Sequence, residues 1–209
     1  MVFYFTSSAV DPPVTLFMGL DKHENEHLIK WGWPEDVWFH VDKLSSAHVY
    51  LRLPEGQGLD AIPPAVLKDA AQLVKANSIQ GNKLNDIDVV YTLWSNLRKN
   101  EATMEVGQVA FHRDKEVRKV RVDKRDNTIV NRLNKTKVEE QVDFQEERGK
   151  RDHAEREAKK KLFKQMEEEN KKEELRRKVE AEERSYDRLM VDDKMVSNKD
   201  GGNDSDDFM

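Results

Sequence analysis

The chain of 209 residues contains no cysteine and no long apolar run. The first absence excludes disulfide bonds, cysteine zinc sites and thiol nucleophiles. No stretch approaches the roughly 18 apolar residues that a membrane helix needs. The apolar N-terminus is interrupted by Asp11-Pro12-Pro13 and has no basic segment ahead of it, unlike a signal peptide. We therefore expect no membrane span, and a cytoplasmic or nuclear protein.

Residue patterns suited to catalysis are also scarce. The segment Gly56-Gln57-Gly58 is an isolated turn and not a phosphate-binding loop, and no serine stands in a nucleophile motif. Asp36 and His40 lie four residues apart, which on a strand separates them by about 13 Å. His23 and His27 have helical spacing but lack the H-E-x-x-H arrangement of a zinc site. The sequence therefore predicts no enzyme activity, no metal and no other cofactor.

Charge is distributed unevenly along the chain. The 36 basic and 41 acidic residues give a net charge of −5. Residues 1–112 carry −5, residues 113–190 carry +4 and residues 191–209 carry −4. All four tryptophans lie within the first 94 residues. A hydrophobic core is thus expected in the first half, which is long enough to fold by itself.

The order of strand-like and helix-like segments predicts an α+β fold. We expect a mainly antiparallel sheet with two packing helices, followed by a long charged α-helical arm. The helices begin near Asp21 and Pro64, and a third segment covers residues 128–138. The predicted strands are residues 2–6, 14–18, 37–41, 47–53, 87–93, 106–111 and 117–122. We divide the chain into a domain (1–122), a basic root with the charged arm (123–190) and an acidic disordered tail (191–209).

Alternation along two predicted strands sorts their side chains onto two faces. Val37, Phe39 and Val41 share the face that suits a core. The opposite face combines aromatic and basic side chains, namely Trp38, His40, His48, Tyr50 and Arg52. Such a face can stack nucleic-acid bases and hold phosphates. The alternative is that Trp38 and Tyr50 lie beneath the arm or another helix.

A strand-to-helix turn, Gly19-Leu20-Asp21-Lys22, is a second candidate site. Free N–H groups at a helix start, together with the ammonium of Lys22, suit a phosphate. An ordinary capped helix with Lys22 in solvent is the alternative reading of the same residues.

The segment Arg113–Lys137 is the most basic part of the chain, with ten basic and four acidic residues and a net charge of +6. Such a segment favours a polyanion because binding releases counterions. A solvated helix or strand face is the alternative. The cations that we predict to contact nucleic acid are Arg113, Arg118, Lys119, Arg121, Lys124 and Arg125.

The arm from Phe144 to Met190 has long gaps between apolar residues, so a sustained coiled-coil heptad is not supported. Acidic and basic residues instead alternate at i,i+4 in the favourable order. The predicted pairs are Glu147–Arg151, Glu155–Lys159, Glu157–Lys161, Glu168–Lys172, Glu173–Arg177, Glu174–Lys178 and Glu180–Arg184. These pairs favour a single solvated helix that protein partners could contact.

Several short elements resemble the NFACT-R domain family. They are Gly19-x-Asp21-x-x-x-Asn25-Glu26, Asp36-Val-Trp38-Phe39-His40, Ser45-Ser-Ala-His48 and Leu84-Asn85 followed by Val89-Val90-Tyr91-Thr92. The resemblance covers residues 1–112, and the arm only by composition. Its motif positions in this chain are Gly19, Asp21, Asn25, Asp36, Trp38, His40 and His48. Asn25 joins the predicted nucleic-acid contacts for this reason.

The resemblance implies a nucleic-acid-associated module, since large family members engage the large ribosomal subunit and transfer RNA. The sequence shows no FpG-like or helix-hairpin-helix segment, so peptide tailing is not implied. We therefore predict a non-enzymatic nucleic-acid-binding protein, associated with RNA or the ribosome, with DNA also possible. The alternative is a protein-interaction adaptor or scaffold that acts through the arm. The sequence does not predict an oligomeric state.

Overall fold

A computed structural model describes residues 1–54, 56–100 and 102–184. Residues 1–151 form one compact unit, and the described part of the second unit is residues 152–184. The predicted boundary after Val122 falls inside the first unit. The predicted acidic tail, residues 191–209, and the expected helix end at Met190 lie outside the described residues.

The first unit is built on a seven-stranded antiparallel sheet, which confirms the predicted α+β class. The strand order across the sheet is β8-β5-β3-β4-β2-β1-β9, and β6 and β7 form a separate hairpin. The strands are β1 (Val2–Ser7), β2 (Val14–Gly19), β3 (Asp36–Val41), β4 (Val49–Arg52), β5 (Ile87–Leu93), β6 (Leu97–Arg98), β7 (Ala110–Phe111), β8 (Arg118–Val122) and β9 (Val138–Glu140).

The helices begin where the sequence provides caps. They are α1 (Lys22–Trp31), α2 (Pro64–Ala76), α3 (Asn127–Lys135) and α4 (Phe144–Arg184). Asp21 caps α1 and Asp126 caps α3 through their carboxylates. Pro64 occupies the first turn of α2, where a missing N–H costs nothing.

The main core lies between the sheet and helices α2 and α3. Val37, Phe39 and Val41 of β3 are almost fully buried there, as alternation predicts. Leu73 of α2 and Leu133 of α3 complete this layer. The third helix was expected to begin the arm, but its apolar side instead packs into the domain core.

A second core covers the opposite face of the sheet. Trp38 and Tyr50 lie there with Leu28 of α1, Phe111 of β7 packed against them, and Phe144 at the start of α4. Three helices rather than two therefore pack on the sheet, and the first turn of α4 also contributes to its core.

Residues 128–138 were predicted as one helix, but α3 ends at Lys135 and β9 follows. The Thr136 hydroxyl ends the helix by donating to Leu133 O at 2.8 Å and accepting from Thr6 N at 3.0 Å. The chain is thereby directed along β1, where Val138 pairs with Tyr4. The predicted strand 106–111 is likewise reduced to Ala110–Phe111 of the short hairpin.

None of the helices within the described residues combines the length and the apolarity that crossing a membrane requires.

Candidate nucleic-acid interface

The aromatic residues predicted to stack on bases are buried. The side chains of Trp38 and Tyr50 are 2% and 0% exposed. Tyr50 stacks on Phe17 with ring centroids 5.2 Å apart, and Trp38 meets Phe111 edge-on at 5.8 Å. Both rings therefore contact protein on all sides, and in this structure neither can stack on a base. The alternative prediction, in which Trp38 and Tyr50 lie beneath other elements of the fold, agrees with this geometry.

The two histidines of the same face form a small cluster with Trp38. The indole Nε1 donates to His48 Nδ1 at 2.9 Å, and His40 stacks on the indole at 5.5 Å. Burial, reinforced by the neighbouring His40, lowers the pKa of His48 to about 3. Burial also lowers the pKa of His40. At neutral pH both rings are uncharged, so they supply no cation for a phosphate.

Arg52 and Asp36 form an internal ion pair. Arg52 Nε donates to Asp36 Oδ1 at 2.9 Å, and the guanidinium lies 3.6 Å from the ring centroid of Trp33. The other oxygen of Asp36 accepts from Trp33 N at 2.9 Å. Burial raises the pKa of Asp36, opposed by the hydrogen bond from Arg52. Arg52 thus anchors the loop before β3 instead of facing a ligand, and Asp36 forms no acid–base pair with His40.

The predicted phosphate site at the start of α1 is occupied by its own cap. The Asp21 carboxylate accepts from His23 N at 2.9 Å and Glu24 N at 2.8 Å, and these hydrogen bonds lower its pKa. A phosphate at this turn would meet that negative charge. Gly19 is needed because a Cβ there would lie 2.5 Å from Asn25 Oδ1. Asn25 is 8% exposed and so fits the turn as a packing residue.

The positive charge of the basic segment Arg113–Lys137 is largely neutralised, mostly by carboxylates from other parts of the chain. Its ion pairs within the described residues are Arg113–Glu116, Arg118–Asp60 and Lys119–Asp42 at 2.7 Å, Arg121 with Asp86 and Asp88 at 3.8 Å, Arg132–Asp69 at 2.6 Å and Lys137–Glu139 at 3.1 Å. Arg125 Nη1 also donates to Asn82 Oδ1 at 2.7 Å. The hydrogen bond with Asp42 raises the pKa of Lys119. The net charge of the segment therefore overstates the positive charge that the folded surface presents.

In helix α1 it is the carboxylates that are paired with groups from elsewhere in the chain. Glu24 binds the N-terminal ammonium at 2.7 Å. Glu26 accepts from Lys99 Nζ at 2.7 Å and from Gly107 N. Although burial acts to raise the pKa of Glu26, these hydrogen bonds hold it below its usual value. Both carboxylates of α1 are consequently bound by groups from outside the helix.

We define the α1 surface as Lys22, His23, His27, Lys30 and Arg98. All five side chains are exposed. A cavity of about 960 Å³ lies between α1 and the loop after β6, and its lining includes His27, Lys30 and Arg98. Lys99 holds that loop by donating to Glu105 O at 2.6 Å and Gln108 O at 2.9 Å. Of these five residues, only Lys22 was predicted from the sequence to contact nucleic acid.

A sequence signal existed for part of this surface. His23, His27 and Lys30 follow the i, i+4, i+7 spacing of one exposed helix face. Arg98 is 68 or more residues away and joins them only through the β6–β7 hairpin, which no local pattern indicates. No group of three or more metal-ligating side chains occurs within the described ranges.

Comparison with known proteins yields a family match and full-length relatives. Residues 1–113 match the family described as NFACT protein RNA binding domain. The chain is 58% identical to coiled-coil domain-containing protein 25 of Bos taurus over 100% of both chains. It is 53% identical to the coiled-coil domain-containing protein 25 homolog of Dictyostelium discoideum over 75% of this chain and 74% of the relative.

A solved structure shares the fold at low sequence identity. It is the C-terminal part of a fibronectin/fibrinogen-binding protein from Streptococcus suis, with a TM-score of 0.50 and 20% identity. The match covers 65% of this chain and 48% of that one. At this identity the likeness shows the fold alone.

Proposed function

We propose, from the premise that this chain belongs to the NFACT protein RNA binding domain family, that it is a non-enzymatic RNA-binding protein whose α1 surface contacts the RNA backbone. The observation that carries the proposal is the pairing of Glu24 and Glu26 with internal partners. Apart from the capping carboxylate of Asp21, the exposed ionisable side chains of this helix face are basic. Positive surfaces bind RNA mainly through its phosphates.

The cavity beside α1 supports the same proposal. Its volume of about 960 Å³ and its lining by His27, Lys30 and Arg98 give a concave, basic surface next to a helix. A single-stranded RNA segment can place its phosphates along such a groove without base-specific contacts. The proposal does not use the buried rings of Trp38 and Tyr50 for stacking.

The test is RNA binding by a charge-neutralised variant as a function of salt. The variant Lys22→Gln with Arg98→Gln removes two exposed cations of the α1 surface. Removing one cation that neutralises a phosphate should reduce the slope of log K against log salt by about 0.7 for single-stranded RNA. We therefore expect a slope smaller by about 1.4, measured by fluorescence anisotropy with a labelled 20-nucleotide RNA.

A matched control is Lys115→Gln with Lys135→Gln, which removes the same charge from exposed lysines of the basic segment. It should change the slope by much less. Equal effects of the two double variants would show that only net charge matters and would reject the α1 surface as the contact. DNA of the same sequence in a parallel titration tests the DNA alternative, and purified ribosomes test ribosome association.

A second function, that of a protein-interaction adaptor, is favoured by apolar side chains of α4. Leu162, Phe163 and Met166 are 58%, 69% and 55% exposed, and Leu175 and Val179 are 64% and 46% exposed. Such side chains on an otherwise charged helix suit a partner helix. Replacing Leu162, Phe163 and Met166 by Gln should abolish binding of an arm-dependent partner and leave RNA binding unchanged.

A further inference from the structure

We propose that the free edge of β8 is a docking site for an extended protein segment in which apolar and acidic side chains alternate. The segment would add as an eighth strand to the sheet. This site is separate from the α1 surface, and its partner is a protein and not RNA.

The first argument is the unpaired edge itself. β8 is the last strand of the sheet, and within the described residues no strand lies on its outer side. Asp42 N donates to Asp88 O at 2.8 Å, so Asp88 faces β3, and the alternate residues Ile87 and Val89 of β5 face β8. Main-chain groups of alternate residues in a strand point to opposite sides. Val122 and Val120 lie opposite Ile87 and Val89 and pair with β5. The N–H and C=O groups of Lys119 and Arg121 therefore point outward, where an added strand can pair with them.

The second argument is a groove beside that edge. Helix α2 and β8 enclose a cavity of about 780 Å³. Leu67 and Ala71 of α2 and Val120 of β8 provide its apolar lining. Side chains of an added strand that point toward α2 would enter this groove. Apolar side chains suit it, because they would cover Leu67 and Val120, both of which are only partly buried.

The third argument is charge on the opposite side of β8. Lys119 and Arg121 alternate with the valines and project away from α2. The Arg121 side chain is 62% exposed, and its nearest carboxylates are 3.8 Å away. Lys119 already pairs with Asp42 at 2.7 Å, so Arg121 is the cation that a side chain of the added strand would face. An acidic side chain is favoured there.

Further cations lie along the groove. Besides Arg121, its lining contains Lys124, Arg125 and Lys68, the last of which lies 3.9 Å from Asp126. The acidic residues of the lining are Asp123 and Asp126. The Asp126 carboxylate already caps α3 through Thr128 N at 3.0 Å. The basic edge also disfavours pairing with the β8 edge of a second copy, because like charges would then face each other. An acidic extended segment from another protein is the occupant that fits.

The first experiment uses a synthetic peptide with three Val-Glu repeats, flanked by Gly-Ser and labelled with fluorescein. It is titrated with the full-length chain by fluorescence anisotropy. We expect saturable binding, and binding at least about tenfold weaker for the corresponding Val-Lys peptide. Equal binding of both peptides, or no binding of the Val-Glu peptide, overturns the proposal.

Two N-methylated peptides distinguish strand addition from simple charge attraction. One is N-methylated at every Val and the other at every Glu. Only one edge of an added strand pairs with β8, so N-methylation of one set should leave affinity unchanged. N-methylation of the other set should weaken binding about tenfold or more. Equal affinity of the two peptides would reject strand addition.

Variants of the chain provide the complementary test. Arg121→Pro removes an outward N–H without breaking a bond to β5, a position where proline is tolerated. It should weaken peptide binding about tenfold or more. Arg121→Gln should weaken it roughly two- to fivefold, as expected for an exposed ion pair. Both variants should bind the 20-nucleotide RNA within about twofold of the unchanged chain, which separates this proposal from the RNA site.

If Arg121→Pro does not fold, amide hydrogen exchange of the unchanged chain provides the test. On adding the Val-Glu peptide, the amides of Lys119 and Arg121 should become protected. The amides of Val120 and Val122, already paired with β5, should change little. Protection confined to residues outside β8 would overturn the proposal.

Discussion

Two regions of this chain, the segment Arg113–Lys137 and the outer part of α4, residues 152–184, are both highly charged but neutralise their charge differently. In α4 the partners lie four residues apart, as in Glu173–Arg177 at 2.7 Å. In the basic segment the partners are distant in sequence, as in Arg118–Asp60 and Lys119–Asp42, both at 2.7 Å. A local pattern therefore predicts the ion pairs of one region only.

The difference shows that the net charge of a segment is a poor guide to the charge of a folded surface. The basic segment loses much of its excess because β8 and α3 lie beside carboxylates of the acidic first half. Helix α1 has few cations, but they lie on an exposed face, and Lys99 and Gly107 hold the carboxylate of Glu26. The candidate RNA contact thus moves from the most basic segment to a modestly charged helix.

The largest expected effect comes from cutting the chain in each region. Ending it at Asn127 removes Val130, Leu133 and Phe144, which are 2%, 0% and 8% exposed. Burial of each such side chain contributes about 1.5–3 kcal/mol, a large part of the roughly 5–15 kcal/mol that stabilises a domain. We expect this fragment to show no cooperative thermal unfolding by circular dichroism.

Ending the chain at His153 retains the whole compact unit and serves as the control. Its transition should lie within about 2 °C of the full-length value. A folded 1–127 fragment with the same transition would contradict the inclusion of α3 and the start of α4 in the domain. A truncation that tests the adaptor function should consequently end at His153 and not at Asn127, so that the domain stays intact.

A smaller effect is expected from single ion pairs of the two regions. Asp69 is buried and binds Arg132 at 2.6 Å and the Ser7 hydroxyl at 2.6 Å. Asp69→Asn should reduce the free energy of unfolding by about 2–3 kcal/mol, less than for a fully buried pair because the Arg132 side chain is 41% exposed. Urea unfolding of Asp69→Asn, Arg132→Gln and the double variant measures the coupling.

The matched pair in α4 is Glu173–Arg177, whose side chains are 48% and 74% exposed. The corresponding Gln variants should shift the thermal midpoint by no more than about 1 °C, and less in high salt. Equal coupling in the two pairs would remove the distinction between tertiary and local ion pairs.

The effect that is smallest near neutral pH is a pH dependence of stability that follows burial and grows as pH falls. The pKa of His48 is lowered from 6.5 to about 3 in the folded chain, so below pH 6.5 the unfolded chain binds a proton that the folded chain does not. The stability that neutral His48 contributes is complete above pH 6.5 and is lost as pH falls toward 3. The loss amounts to roughly 1.4 kcal/mol per pH unit.

The raised pKa of Asp36 has the opposite effect, because it increases the free energy of unfolding as pH falls. Variants are therefore needed to isolate the contribution of His48. His48→Gln should flatten the decrease in unfolding free energy between about pH 6.5 and 4.5, measured by urea titration. The control is His153→Gln, which changes an exposed histidine of α4 and should leave the pH dependence unaltered. A dependence that survives His48→Gln would assign it to other groups.

Much of the fold could be predicted because its signals are local. The strand Ile87–Leu93, the cap at Asp21 and the proline start of α2 were all expected from the sequence. The alternation of β3 was also confirmed, since Phe39 and Trp38 enter opposite cores. Strand β9 was missed because three residues carry too little pattern and depend on pairing with β1.

The candidate site could be predicted less well. Trp38 and Tyr50 alternate onto a separate face as expected, but alternation does not say whether another layer covers that face. The first turn of α4 and the β6–β7 hairpin supply that layer from distant parts of the chain. Arg98 reaches the α1 surface through the same hairpin, so no spacing rule identifies it.

The sequence by itself determined the α+β class, the family and the helix starts, because each depends on neighbouring residues. The same holds for three predicted i,i+4 pairs of α4, Glu155–Lys159, Glu173–Arg177 and Glu174–Lys178, whereas among the described residues Arg151 pairs with the distant Glu35 and not with Glu147 as predicted. Only the tertiary structure decided which charges remain exposed, which aromatic face is buried and which strand edge is left open. The physical reason is that burial and long-range ion pairs depend on residues brought together from across the chain. The partners of Lys119 and Glu26, 77 and 73 residues away, are examples.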